Sequence, residues 1–373
     1  MSTQSLTPPS ALAAGPTERP ADPGFEQRLI DGIRPISEHF LAGALHHLFT
    51  TGLFDRLAEQ EDGLAVQTLA DDLSMDLVRL TGFLRYLANE GVTRFDGETV
   101  RLTPKGLGYG EFRGWYTMMI GGYTGTLSQM GAALTRGAPS CSREGGYVGL
   151  GSCEVSRYDG MPMTRQLMAD AGVEARELLD LGCGNGLYLV DFCRAMPGLS
   201  AWGVEPSRGG YEEAIKLVGS SDTVDRIRLI NSSATDFLAD PPEGCAPDLI
   251  VLGFVLHEIL AQEGEGAVLD LLRGVVKTFP EINIVVIEVA HEIENPAVMR
   301  HGLATNFWNP YYLIHSFTEQ QLEKKVYWDE LFDRAGLGVA AFVTTDPAVD
   351  STGLELGYLL RGKEAGGGGA TPC

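Results

Sequence analysis

The chain has 373 residues, 44% of them apolar, enough for two domains of ordinary size with filled cores. A formal net charge of −22 argues against nucleic acid or an anionic membrane as a main partner, since phosphate binding is driven by Lys and Arg; it suits a cationic small molecule, or solubility alone. No apolar run is long enough to span a bilayer, the first residues lack the basic start and apolar middle of a signal peptide, and the six cysteines show no C-x-x-C or zinc spacing, so a soluble, cytoplasmic protein with reduced thiols is expected.

In chain order, residues 1–24, "MSTQSLTPPSALAAGPTERPADPG", read as a disordered leader. From Phe25 to about Glu61 apolar residues recur at three- and four-residue spacing, predicting helix with a kink or break at Pro35. "VQTLADDL" and "MDLVRLTGFLRYLANEG" predict two helices, the second ending at Gly91, and "VTRFDGETVRLTPKG" predicts a hairpin turning at Asp96-Gly97. That order is a winged-helix pattern. Between Ala65 and Gly106, however, five basic residues face six acidic ones, whereas a DNA-reading helix needs a basic patch. The expected use of residues 25–150 is therefore to join two chains into a homodimer and to cover the substrate. Residues 107–170 mix helical and glycine-rich stretches, and the pattern assigns them no fold.

From Arg176 strands and helices alternate: "ELLDLG", "LYLVDFCRAM", "SAWGVE", "GYEEAIKLV", "RIRLIN", "DLIVLGFVL", "GAVLDLLRGVVKTF", "INIVVIEVA", "YWDELFDRAG", "VAAFVTT", "LELGYLLR". The alternation implies an α/β fold, a doubly wound sheet with helices on both faces, set in a second domain over 151–363 and followed by a flexible tail, 364–373.

Within it, "LLDLGCGNGLYL" places Asp180, Gly182, Gly184 and Gly186 between a strand and a helix. Glycine there lets the chain turn tightly and lets a ligand approach the main chain beside the free N–H groups of a helix start. Nineteen residues past Gly186, the strand "AWGVE" ends at Glu205, where a carboxylate can accept both hydroxyls of a ribose. The spacing D-x-G-x-G-x-G differs from the G-x-G-x-x-G of a pyrophosphate site.

In an open sheet of this kind ligands lie beyond the carboxyl ends of the strands. The apolar run "DLIVLGFVL" ends there in His257 and Glu258, a group that titrates near neutrality beside a carboxylate, suited to proton removal. The structural alternative is a helix starting at Leu256 with Glu258 in its first turn. "VVIEVAHEIENP" puts Glu288, Glu292 and Glu294 at and beyond the next strand end, and "NFWNPYYLIHSFT" adds Asn309, Tyr311, Tyr312 and His315. Carboxylates there would suit a guanidinium, with Glu288, nearest the strand end, as the first candidate.

The glycine loop, the acid at Glu205 and the strand order resemble class I S-adenosylmethionine methyltransferases, from about residue 175 to 362. That resemblance implies a Rossmann-like seven-stranded domain, preceded here by the mainly helical winged-helix dimerisation region. It implies S-adenosylmethionine as cofactor, with Asp180, Gly182 and Gly184 beside its methionine part, Glu205 on its ribose and the segment "NSSATDF" beside adenine. Many relatives carry Asp where this chain has Ser233, so adenine recognition passes to Ser233, Asp236 or backbone.

With "FRGWYTMMIGGYTGT", "WGVEPSRGGYEEA", "LGFVLHEIL", "NPYYLIHSFT" and "DSTGLELGYLLR" added, the chain resembles the bacterial 2-ketoarginine methyltransferases from about residue 25 to 362. The resemblance implies methylation of C3 of 2-ketoarginine in natural-product biosynthesis, with His257 as the base. It also raises an iron site of His257, Glu258 and His315, as in some keto-acid methyltransferases of this fold. Two rivals are methylation of a guanidino nitrogen of free arginine, gripped by Glu258 with Glu288 or Glu292, and a winged-helix regulator with a sensor domain.

Overall fold

The computed structural model describes residues 22–363. Of the leader expected over 1–24 only the last three residues fall in that range, and the tail 364–373 lies outside it.

Helix Phe25–Thr50 runs through Pro35 without a break. A proline inside a helix removes one ladder bond, and this half of the helix is exposed, so water can serve the freed carbonyl. After Leu53–Ala58 come β1 (Leu64–Ala65), the helices Val66–Asp72 and Leu77–Asn89, and the hairpin β2 (Thr93–Asp96) and β3 (Thr99–Leu102), in a three-stranded sheet of order β1-β3-β2. The order helix, helix, hairpin is the one expected. Asp76 starts the second helix by accepting from the N–H of Arg79 at 2.9 Å, and Leu48, Leu69, Leu84, Leu87, Val92 and Val100 fill the core beneath.

The stretch without an assigned fold is helical: Pro104–Gly110, Arg113–Tyr116 running into a π-turn at Thr117–Gly121, Thr124–Ala133, Gly145–Val155 and Gly160–Asp170. Its glycines are contact points between helices. A Cβ on Gly151 would stand 2.4 Å from the backbone nitrogen of Met118, and one on Gly122 would stand 2.6 Å from Val148. Packing through small residues leaves little apolar periodicity to read.

The larger sheet holds β4 (Glu177–Leu181), β5 (Ser200–Val204), β6 (Ile227–Ile230), β7 (Leu249–Gly253), β8 (Asn283–Val289), β9 (Leu337–Thr344) and β10 (Glu355–Gly362) in the order β6-β5-β4-β7-β8-β10-β9. The first five of these are parallel neighbours, and β10 runs antiparallel to both β8 and β9. Leu179, Ile250, Val285 and Val286 are fully buried between helical layers, which is why these strands read as continuous apolar runs. The sequence reverses direction across the sheet between β4 and β7, and the crevice at their carboxyl ends is where ligands bind in such folds.

The strand "DLIVLGFVL" is shorter than expected. It stops at Gly253; Phe254 turns out of the sheet with φ +58°, and a helix starts at Leu256 and runs to Glu263. A side chain in the left-handed region costs about 1–2 kcal/mol, a strain that concentrates where a site needs it.

Candidate active site

A cavity of about 1050 Å³ opens above the carboxyl ends of β4, β5 and β7. Its wall contains Asp180, Gly182, Gly184, Glu205, Ser233, His257 and Glu258, together with Tyr123 from the N-terminal half of the chain.

One end is the glycine loop. Gly182 (φ +103°) and Gly184 (φ +54°) have backbones that glycine alone adopts freely, and nothing stands within 4 Å of where a Cβ of Gly184 would lie, so the loop leaves open space for a ligand. Glu205 accepts from the N–H of Gly184 at 2.9 Å and of Ser207 at 2.8 Å, which aims its carboxylate along the loop. Burial, and then the charge of Glu205, pushes the Asp180 carboxyl up to about 7. Two near-buried carboxylates facing a glycine cradle fit a ligand bearing hydroxyl and ammonium donors, as a nucleoside with an amino-acid tail does. Ser233 also lines the cavity, and its oxygen caps helix Ala234–Ala239 by accepting from the N–H of Asp236. Gly186 stands apart. It starts helix Leu187–Ala195 with φ +75°, its Cβ position is 3.1 Å from Val218, and it serves the turn behind the cavity rather than its wall.

The other end is built on His257. Its ring is almost wholly buried, and Nδ1 meets Glu288 Oε2 at 2.8 Å. Glu288 Oε1 accepts from the backbone N–H of Leu256 at 2.8 Å and of His257 at 3.3 Å, so the start of the helix holds the carboxylate and the carboxylate holds the ring. With the proton on Nδ1, Nε2 is an acceptor, and it faces Gln320 Nε2 at 3.4 Å. Burial by itself favours the neutral ring, but the charge and hydrogen bond of Glu288, helped by Glu258, outweigh it and hold His257 above the usual imidazole value.

Gln320 is fixed in turn. Its Oε1 accepts from the hydroxyls of Tyr123 at 3.1 Å and Thr318 at 2.9 Å, which directs Nε2 to His257 and, at 3.2 Å, to Glu258. Glu258 Oε1 also accepts from Arg143 at 2.8 Å. Arg143, Gln320 and Tyr123 were not legible as site residues, because each reaches the site from an element remote in sequence.

The substrate residues expected from sequence are placed otherwise. Glu288 is fully buried beneath His257 and off the cavity wall; it orients the ring instead of meeting a ligand. Tyr312 donates to the carbonyl of Ala290 at 2.6 Å and accepts from the N–H of Glu292 at 3.3 Å, tying the loop after β8 to its helix. Asn309 is exposed, outside the cavity. His315 is buried behind Tyr311, whose carbonyl meets its Nδ1 at 2.8 Å, and burial followed by the charge of His257 holds it well below the usual imidazole value. Glu292 and Glu294 line a separate small cleft.

The iron set fits only in part. The rings of His257 and His315 are 5.6 Å apart and His315 Nε2 has no partner, but Glu258 is ion-paired with Arg143, and among the described residues no three His, Cys, Asp or Glu side chains are disposed to hold a metal. No step below is routed through a metal.

No protein-family model matches the chain. It is 40% identical over 348 residues to a 2-ketoarginine methyltransferase of Streptomyces arginensis, covering 92% of this chain and 98% of that one. Among solved structures it is similar to human N-acetylserotonin methyltransferase in complex with S-adenosylmethionine, with a TM-score of 0.63 at 18% identity, covering 94% of this chain and 99% of that one. It is also similar to the N,N-8-amino-8-demethyl-D-riboflavin dimethyltransferase of Streptomyces davawensis, with a TM-score of 0.58 at 18% identity over 92% of this chain and 100% of the other. The structural likenesses carry the fold, and the sequence identity carries the family: the chain belongs to the 2-ketoarginine methyltransferases, enzymes of class I that use S-adenosylmethionine.

Proposed function

We propose that the enzyme methylates C3 of 2-ketoarginine (5-guanidino-2-oxopentanoate). The observation that carries this reading is the Glu288–His257 pair, which ties Nδ1 to a carboxylate and leaves Nε2 of the neutral ring as the acceptor on the cavity side. A carbon next to a ketone is a weak acid, and a base held to one tautomer is what its activation requires. Glu258 and Glu288, the pair that a guanidino N-methylation would use, are occupied by Arg143 and His257.

In this reading His257 Nε2 takes the C3 proton, and the positive charge it acquires lies against Glu288. The electron pair left on C3 spreads onto the 2-oxo oxygen, and the donor beside the base is the Nε2 amide of Gln320, held in register by Tyr123 and Thr318. Arg143 neutralises Glu258 at this end of the site. Asp180, Glu205 and the glycine loop would hold S-adenosylmethionine, which when bound would supply an electrophilic methyl group to C3 and leave as S-adenosylhomocysteine. Tyr123 and residues of the helices between 104 and 170, among them Met118, Val148 and Ser152, form one wall of the cavity. Incubation with labelled S-adenosylmethionine and 2-ketoarginine or arginine, followed by fragmentation of the product, tests the reading; label on a guanidino nitrogen would refute it.

The cofactor end carries its own expectation. Glu205→Ala removes a charged acceptor from the ribose and leaves the N–H groups of Gly184 and Ser207 without their partner, so the Kd for S-adenosylmethionine should rise about 10- to 100-fold with the fold intact. Calorimetric titration reads this; an unchanged Kd would take Glu205 out of the site.

Association into a homodimer belongs to the same proposal. On the exposed half of helix Phe25–Thr50, Leu29, Ile33, Ile36 and Phe40 form one stripe at helical spacing, with Ile36 57% and Phe40 64% exposed. A second copy of the same stripe is the occupant that cytoplasmic solubility demands. Light scattering should report a dimer for the full chain and a monomer for Ile36→Asp with Phe40→Asp, whose side chains support nothing in the single chain. A monomeric full chain would end the idea.

A further inference from the structure

Two carboxyl groups on the cavity wall take no part in the mechanism above. Asp159 precedes helix Gly160–Asp170, and Glu355 opens β10 where it pairs with Val289; each is 5% exposed. On the acceptor side the half-buried Glu258 is paired with Arg143 and the buried Glu288 with His257, while the buried Asp350, off the cavity wall, accepts from the indole N–H of Trp308. Among the described residues Asp159 and Glu355 have none. Asp159 accepts from the N–H of the adjoining Gly160, and Glu355 from the hydroxyl of Thr345. Burial holds Asp159 up at about 6, against the opposing hydrogen bonds of Gly160 and Glu355, and burial followed by the charge of Asp159 holds Glu355 well above the usual carboxylate range. A buried acid pair without a counter-ion is a costly arrangement, and a bound cation removes the cost.

A second observation points to a ligand at the same place. Tyr311 is 8% exposed, it lines the same cavity, and its hydroxyl has no hydrogen-bond partner among the described residues. Burial holds its proton on, with Tyr123 and the carboxylates of Glu288, Glu355 and Glu258 acting in the same direction. It is a polar group aimed into the cavity with nothing yet to bind.

We infer that Asp159 and Glu355 form the subsite for the guanidinium end of the acceptor, with the Tyr311 hydroxyl as its third polar contact. The inference rests on the proposed reaction and adds to it the residues that select the substrate. A guanidinium presents five N–H donors in a planar fork, which two adjoining carboxylates can accept. The cavity wall then offers His257 to C3 and the acid pair to the cationic end. The guanidinium partners expected from sequence, with Glu288 foremost, are spent on holding the base or lie in another cleft; of the acids on the cavity wall, Glu263 and Asp270 are exposed, and these two are buried without a cationic partner among the described residues.

The test uses the full-length protein, the guanidino 2-oxo acid, and an unbranched 2-oxo acid of similar length with an uncharged end. Asp159→Asn and Glu355→Gln keep shape and the contacts to Gly160 and Thr345. Each should raise KM for the guanidino substrate about 10- to 100-fold, as loss of a charge-assisted contact does, with kcat within a few-fold. KM for the uncharged acid and Kd for S-adenosylmethionine should stay put. An equal rise for both acids would make the pair structural, and a loss limited to the cofactor would assign it to the cofactor's ammonium group; either overturns the inference. Calorimetric titration with the guanidino acid separates this from the reaction itself. A wild type that binds the compound without methylating it would sink the proposed reaction, while the subsite would stand or fall on the Kd contrast of the variants. A wild type that methylates it, with both variants unchanged, would sink the subsite alone, and no binding at all would sink both.

Discussion

His257→Ala is expected to lower turnover of 2-ketoarginine by about 10²- to 10⁴-fold, the range that losing a general base produces, while S-adenosylmethionine binds as before. The two effects separate because the proposed cofactor residues Asp180 and Glu205 stand at the ends of β4 and β5, whereas the ring follows β7 and leans on Glu288 of β8. The variant should also fold. Removing the imidazole leaves Glu288 buried without its cationic partner, but the N–H groups of Leu256 and His257 belong to the backbone and still hold the carboxylate at the helix start. Rates from single-turnover experiments with saturating cofactor, beside a calorimetric Kd, read both parts. Near-full turnover in the variant would mean that the C3 proton leaves to another group and that the Glu288–His257 pair is only a helix start.

Much of this was legible before any coordinates. The strands β4, β5, β7, β8 and β10 read as apolar runs because each is buried on both faces, and the glycine loop and Glu205 stand out because a turn and an acid at two neighbouring strand ends are local features. The two readings of "FVLHEIL" are compatible: Leu256 does start a helix, and that start anchors the carboxylate behind the ring of His257. What sequence could not show were partners brought together by tertiary structure. Arg143 and Glu258 are 115 positions apart, and Tyr123 and Gln320 are 197 apart. Glu288 was read as a ligand of the substrate because it ends a strand at the right edge; only its complete burial shows that it faces the ring and not the cavity. Asp159 sat in the stretch whose helices pack through glycine, where no apolar period marks an element, and Glu355 looked like one polar residue at the start of a strand.

The role of Glu288 makes the sharpest remaining demand on the mechanism. Glu288→Gln changes one atom and should cost about 10²- to 10⁴-fold in turnover, as much as losing the ring itself, because it reverses the tautomer. The side-chain oxygen that accepts from the N–H groups of Leu256 and His257 cannot be exchanged for an amide nitrogen, since two donors would then face each other. The new NH2 must therefore lie against Nδ1, at the position now 2.8 Å from it. Nδ1 becomes an acceptor, the proton moves to Nε2, and the atom that faces C3 can no longer take a proton. The pH dependence gives an independent sign. In the wild type Glu288 holds His257 above the ordinary imidazole value, so kcat/KM should climb with pH through that raised value as the ring loses its proton. With the carboxylate gone, burial is left unopposed by its strongest partner and favours the neutral ring, so the residual activity should climb at lower pH than in the wild type. A pH profile of kcat/KM for both proteins decides the matter: a drop in rate with an unmoved acid limb would show that Glu288 positions the ring without setting its proton affinity, and an unmoved rate would remove His257 as the base.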